Sequence, residues 1–162
     1  MRIALVAGFI AAFALSARAE EKGDLATKMK EAKVSLEKGI AASKTKGTPI
    51  SAKYELENGK LQLSVYTAKG DSFSEVIVNH KTGKVAKAEP ITGGDDLTAA
   101  KAQSEAMSKA KIPLQAAVSK AVKANKAYKA VSVMPSAKDG HPTAEVTLMK
   151  GTESKTVAEQ LD

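Results

Sequence analysis

Two histidines and one pair of adjacent aspartates are the side chains of this sequence most suited to acid–base or metal chemistry. A Ser–His–acid catalytic site needs a histidine base beside a nucleophile, but His80 and His141 both fall in predicted turns, outside any Gly-x-Ser-x-Gly motif. Asp95 and Asp96 precede a predicted helix from Leu97 to Ala110, where carboxylates stabilise the free N–H groups. A metal site that folding assembles from His80, Asp95 and Asp96 is the alternative. We predict no catalytic residue, no metal site and no cofactor, and therefore a protein that is not an enzyme.

The composition excludes further classes of site. The chain of 162 residues has no cysteine, which excludes a disulfide scaffold, thiol catalysis and a zinc finger. Its formal net charge is +7, but Arg2 and Arg18 are its only arginines, and every later cation is a lysine. Bidentate recognition of phosphate is arginine chemistry, and the aromatic residues that stack on bases make up only 4% of the chain. We therefore predict no nucleic-acid partner.

The first 19 residues have the pattern of a secretory signal peptide. Arg2 precedes an apolar run from Ile3 to Leu15, and the small residues Ala17 and Ala19 have the spacing that a signal peptidase reads. The run has fewer than the roughly 20 apolar residues that are needed to span a bilayer, and no later segment is long and apolar enough to do so. We predict cleavage near Ala19 and a periplasmic or secreted mature chain without a transmembrane segment. An uncleaved anchor is the alternative.

The sequence after the signal peptide repeats itself. Met29 matches Met107 at an offset of 78 residues, and Val65 matches Val146 at an offset of 81. We place the three extra residues of the second copy in the turn at 136–142. Chance similarity between segments rich in alanine and lysine is the alternative.

Two copies of one unit define the predicted domains. Residues 20–90 form the first repeat, 91–96 the junction, and 97–162 the second repeat, which is shortened at its C-terminus. A unit of this size has a marginal core, so we expect the repeats to pack into one body. The predicted fold class is α+β, with each repeat a helix packed on a small antiparallel sheet of three to four strands.

Apolar spacing predicts helices at the start of each copy. The stripe from Leu25 to Ile40 has helical periodicity, and Asp24 is the predicted N-cap. Ser35 and Pro113 each indicate a break before the next helix. Each copy is therefore predicted to have a short helix followed by a main helix, at 35–45 and 113–126.

Alternation of apolar and polar residues predicts strands after each main helix. Asn58-Gly59 is the strongest hairpin signal, and Asp139-Gly140 indicates a turn in the second copy. The predicted strands are 50–56, 61–66, 73–78 and 84–88 in the first copy, and 130–134, 143–149 and 154–158 in the second.

The first copy resembles the PepSY domain, a family named for peptidase propeptides. The resemblance depends on the helix start Val34-Ser35-Leu36, the alternating strand from Leu61 to Tyr66, and the closing turn Thr82-Gly83-Lys84-Val85. The second copy resembles the family more weakly. The resemblance implies an extracytoplasmic α+β module that binds or restrains a peptidase, and it implies no catalytic residues.

These observations favour a non-enzymatic binding protein that restrains or modulates a peptidase or another envelope protein. Tyr66 alternates with the apolar residues of its strand, and we expect an open sheet face around Tyr54, Tyr66 and Phe73 to contact the partner. Lysines on the short edge strands argue against pairing through a strand edge. The alternative is a periplasmic protein that binds a small ligand or metal in the crevice between the repeats. The pattern does not indicate an oligomeric state.

Overall fold

The computed structural model describes residues 21–162, so the predicted signal peptide and its cleavage site near Ala19 lie outside the described residues. Residues 21–28 are helical (α1) and continue into a 3-10 turn at Met29–Glu31. The other helices are α2 (Leu36–Ser43), α3 (Gly94–Ser108) and α4 (Leu114–Ala124). The strands are β1 (Thr48–Glu57), β2 (Lys60–Lys69), β3 (Ser72–Val78), β4 (Val85–Ile91), β5 (Lys129–Lys138), β6 (His141–Lys150) and β7 (Glu153–Gln160).

The seven strands form one antiparallel sheet in the order β4-β3-β2-β1-β5-β6-β7. β1, the first strand after α2, lies beside β5, the first strand after α4, through the pairs Ala52–Val133 and Lys53–Ser132. The sheet is therefore continuous across the two halves of the chain rather than divided into two small sheets. The predicted α+β class with antiparallel strands is confirmed.

Helices α2 and α4 lie where the sequence predicts the main helices. The Ser35 hydroxyl accepts a hydrogen bond from the backbone N–H of Lys38 at 3.3 Å, which satisfies one free donor at the start of α2. Pro113 occupies the N-cap position of α4 with extended backbone. The prediction of Asp24 as an N-cap is wrong, because Asp24 lies inside the helical residues 21–28.

Helix α3 corresponds to the helix that the sequence predicts from Leu97 to Ala110, but it is longer than the main helix of its half rather than shorter. It has 15 residues against 11 in α4, and Asp95 and Asp96 lie in its first turn. It packs on the side of the sheet opposite α2 and α4: Ser51 Oγ of β1 donates to Gln103 Oε1 of α3 at 2.7 Å, while the neighbouring Ala52 faces the core beneath α2. Among residues 21–162, no helix has the length and apolar character needed to cross a bilayer.

The first hairpins of the two halves have turns of equal length. Asn58 and Asp139 have φ values of 51° and 52°, and each precedes a glycine, as a tight hairpin turn requires. The expectation of three extra residues in the turn at 136–142 is therefore wrong. The second half instead has the longer main helix, since α4 has 11 residues and α2 has 8.

The same backbone contacts occur in both halves. In each half, two successive N–H groups before the main helix donate to one carbonyl oxygen that lies just after the third strand of that half, β3 or β7. The bonds run from Lys33 and Val34 to His80 O at 2.9 and 3.1 Å, and from Lys111 and Ile112 to Leu161 O at 2.6 and 2.9 Å. Strands β1 and β5 also each carry one register irregularity near their N-terminal end. The hydrogen bonds to His80 O and Leu161 O fix the loop before each main helix to the sheet.

One hydrophobic cluster beneath α2 and α4 spans both halves. Leu36 and Leu114, the first residues of the two main helices, are 1% and 2% exposed within it. Gly39 brings α2 close to β2, because a Cβ atom at this position would lie 2.5 Å from Leu63 Cδ2. A second, smaller cluster lies beneath α3 and includes Ile50, Ala68, Phe73 and Ala100.

Candidate binding surface

The sheet has two faces, which we call the α2/α4 face and the α3 face after the helices that pack on them. Side chains alternate between the faces along every strand, apart from the register irregularities. The α2/α4 face carries the larger hydrophobic cluster, and α3 covers only part of the opposite face. Whether a predicted contact residue is accessible to a partner therefore depends on the face on which it lies and on whether a helix covers it there.

Tyr54 lies on the α2/α4 face. Its side chain is 4% exposed, and its hydroxyl donates to the backbone oxygen of Val34 at 2.5 Å. Because Tyr54 alternates in phase with the buried Ala52, it faces the core. The expectation that Tyr54 belongs to an open sheet face is wrong.

Tyr54 gives stability a specific dependence on alkaline pH. Burial raises the pKa of Tyr54 to about 12, whereas an unfolded tyrosine has a pKa of about 10. The folded state therefore holds the Tyr54 proton more tightly than the unfolded state does. The resulting contribution to the free energy of unfolding, up to roughly 2.7 kcal/mol, is fully present below pH ~10 and is lost as pH rises toward ~12. Urea unfolding across this range should show a steeper loss for the native sequence than for Tyr54→Phe. Parallel losses in the two proteins would contradict the assignment.

Phe73 lies on the α3 face but is covered by the helix. It is 7% exposed and packs in the smaller cluster with Ile50, Ala68 and Ala100. The expectation that it forms part of an open face is therefore also wrong, because α3 packs over this part of the sheet. Whether Tyr54 and Phe73 take part in partner binding stays a prediction.

Tyr66 is the one of the three predicted residues that keeps an accessible surface. Its half-buried ring lies on the α3 face, with Lys53 Nζ 5.7 Å from the ring centroid. Tyr66 and Met134 line the same crevice beside α3. Met134 is 47% exposed and is the exposed large hydrophobic residue among residues 21–162. Exposed aromatic and methionine side chains of this kind are enriched at protein interfaces.

A groove rich in carboxylates continues from Tyr66 across strands β1 to β4. We call it the acidic groove, and α3 reaches it only through Asp96. Its lining residues are Lys53, Glu55, Glu57, Gln62, Tyr66, Glu75, Ile77, Ala86, Lys87, Glu89 and Asp96. Five carboxylates and two lysines give the groove a formal charge of −3, whereas the whole chain carries +7. The groove is therefore opposite in sign to the molecule that contains it.

Hydrogen bonds and ion pairs hold the side chains of the acidic groove in place. Lys53 Nζ lies 2.6 Å from Glu55 Oε2, and Ser64 Oγ donates to the other carboxylate oxygen of Glu55 at 2.9 Å. Lys87 and Glu89 form a second pair at 2.6 Å. A partner would therefore meet side chains whose positions are already restricted, which reduces the ordering cost of binding.

The pKa values of the central groove residues respond to the same contacts. Burial lowers the pKa of Lys53, but its hydrogen bond to Glu55 and the charges of Tyr66 and Glu55 together outweigh that effect, so the Lys53 pKa is raised. Burial, aided by the charge of Glu75, raises the pKa of Tyr66 despite the nearby Lys53 ammonium. Lys53 is therefore charged and Tyr66 neutral at physiological pH.

The predicted turn histidines lie apart from this surface. His141 Nδ1 lies 2.6 Å from Asp162 Oδ2, and this hydrogen bond lowers the pKa of Asp162. His80 Nδ1 is buried and has no hydrogen-bond partner among the described residues. Within residues 21–162, no three His, Asp or Glu side chains are grouped as metal ligands, so the alternative site from His80, Asp95 and Asp96 is not assembled.

No family model, curated protein or solved structure matches this chain. The candidate surface is therefore defined by its own geometry, namely the acidic groove together with the adjacent Tyr66 and Met134. Alternation along its strand predicted Tyr66 as a contact residue, whereas Met134 and the carboxylates of the acidic groove were not predicted. Glu75 of β3 is the register partner of Tyr66 and so lies on the same face, but this register is set by the pairing of β2 with β3 and not by alternation alone.

Proposed function

We propose that this chain is an exported, non-enzymatic binding protein made of two PepSY-like repeats, and that it holds a protein partner in the cell envelope through the acidic groove. The single observation that carries the proposal is a preordered groove of formal charge −3 on a chain whose formal net charge is +7, and +5 without Arg2 and Arg18 of the predicted signal peptide. A basic surface on the partner would complement the groove, while like-charged surfaces would be excluded. The PepSY resemblance favours a peptidase, or another envelope protein, as that partner.

Matching contacts support the proposed duplication. Each half uses two successive N–H groups before its main helix to bind one carbonyl oxygen, and the offset between equivalent donors is 78 residues while that between the acceptors is 81. The same two offsets relate the sequence matches. The difference of three residues corresponds to the extra length of α4 relative to α2. A duplicated unit with a lengthened helix accounts for both offsets.

The acidic groove has the layout of a protein-binding site. Tyr66 and Met134 provide an apolar patch at the β1–β5 side, and the charged residues of β1 to β4 extend from it as a polar border. A few central residues usually supply most of the binding energy, while rim charges set the association rate and its salt dependence. The two groups of residues therefore predict separable effects.

Binding to a partner isolated from an envelope extract tests the proposal. Once that partner is purified, Tyr66→Ala should weaken its affinity by about 10- to 100-fold, mainly through faster dissociation. Glu75→Lys should slow association and flatten its salt dependence. Tyr128→Ala removes a tyrosine in the other half of the chain and is the matched control. If the groove variants bind like the control, or if no stable partner exists and no peptidase is inhibited, the proposed function is wrong.

A further inference from the structure

Two neighbouring apolar crevices lie between the first half of the chain and the start of β5. The first, of about 240 Å³, is lined by Met29, residues 32–37 and Tyr54 on one side, and by Val122 and residues 128–130 on the other. The second, of about 200 Å³, continues on the far side of Met29, between α1 and the β6–β7 turn. Met29 and Lys129 line both crevices. We call the pair the lysine-rimmed crevice.

The charges around this crevice are opposite in sign to those of the acidic groove. Its lining includes the four lysines Lys30, Lys33, Lys129 and Lys150, and Glu37 is its only carboxylate. Among residues 21–162, none of these four lysines has a carboxylate within 4.0 Å, whereas Lys53 and Lys87 in the groove are both paired. The ammonium groups of the crevice are therefore available to an anion.

The size of the crevice restricts its occupant. Each part is smaller than the roughly 300–1,000 Å³ of a pocket for a drug-sized ligand. A thin alkyl chain fits such a space, and Met29, which separates the two parts, has the flexible side chain that adapts to one.

We propose that the lysine-rimmed crevice binds a single-chain anionic amphiphile, such as a medium-chain fatty acid. The alkyl chain lies against Met29, Val34, Tyr54 and Ala130, and the carboxylate meets the lysines at the rim. This site is separate from the proposed protein-binding groove, because the two share no lining residue. Its test can therefore fail or succeed without the other.

Titration of the purified protein with decanoate, followed by calorimetry and by NMR shifts of the methionine methyl groups, tests the inference. We expect saturable binding below the concentration at which decanoate forms micelles, with the Met29 methyl shifted and the Met134 methyl unchanged. A neutral chain of equal length, decanol, should bind at least fivefold more weakly, since it cannot pair with the lysines. Equal binding of decanol, or shifts confined to the acidic groove, would overturn the proposal.

Two variants test the two parts of the site. Ala32→Leu adds bulk to the half-buried wall of the first crevice and should weaken decanoate binding at least tenfold. Lys129→Glu should weaken it about fivefold at low salt. Lys138→Glu makes the same charge change on the exposed β5–β6 hairpin and is the matched control. Wild-type affinity in Lys129→Glu would overturn the role of the rim, even if Ala32→Leu altered the fold.

Discussion

Leu161→Ala should lower the free energy of unfolding by about 2–5 kcal/mol, the range for a buried leucine whose removal leaves a cavity. Leu161 follows the last strand and is fully buried in the main cluster. Its carbonyl oxygen accepts the N–H groups of Lys111 and Ile112, and its own N–H donates to Pro142 O at 2.9 Å. One residue therefore joins the loop before α4 to the outer part of the sheet. Urea denaturation followed by circular dichroism measures the loss.

The neighbouring Gln160→Ala is the control for this prediction. Gln160 is exposed in β7, so truncation of its side chain should change stability by no more than about 0.5 kcal/mol. Equal stability of the two variants would show that the segment after β7 does not contribute its buried side chain to the core.

Leu36→Ala and Leu114→Ala should each lower the free energy of unfolding by about 2–5 kcal/mol and should each destabilise the whole molecule. The two leucines begin equivalent helices in different halves, but they belong to one continuous cluster. α2 and α4 also contact each other, with Lys44 Nζ donating to Gln115 Oε1 at 2.8 Å. Since the core and the sheet are shared, a defect in one half should not unfold that half alone.

Amide hydrogen exchange at increasing urea distinguishes the two outcomes. In each variant, the protected amides of β2 and those of β6 should begin to exchange at one common urea concentration, and this concentration should be lower than in the native sequence. Lys123→Ala, an exposed change in α4, should leave both strands protected as in the native sequence. Loss of protection in β2 alone after Leu36→Ala would mean that the halves unfold independently.

The sequence predicted those elements whose signals are local. Strand β2 alternates strictly, and its apolar residues Leu61, Leu63 and Val65 are all buried. Asn58-Gly59 forms the tight turn that its preference for positive φ indicates. Ser35 caps α2 as its position before an apolar stripe suggested. In each case a few neighbouring residues determine the structure.

The predicted contact surface failed where distant segments decide burial. Phe73 is on the polar face of its strand, and only the placement of α3 over that face buries it. Tyr54 is a different case. It lies two residues after the apolar Ala52 and so on the same face of β1, and this alternation already indicated a core position. The acidic groove could not be predicted from spacing, since it forms where β1 to β4 align and α3 leaves them uncovered.

The three tyrosines occupy three different environments, and this has a spectroscopic consequence. Tyr54 is in the core and forms part of the wall of the lysine-rimmed crevice, Tyr66 lines the acidic groove, and Tyr128 is at the crevice, with its hydroxyl donating to the Glu153 carboxylate outside it. Because the chain has no tryptophan, its near-ultraviolet absorption and emission come from tyrosine. Difference spectra therefore need no attached dye: an event in the groove perturbs Tyr66, an event in the crevice perturbs Tyr54 and Tyr128, and single Tyr→Phe replacements identify which residue responded.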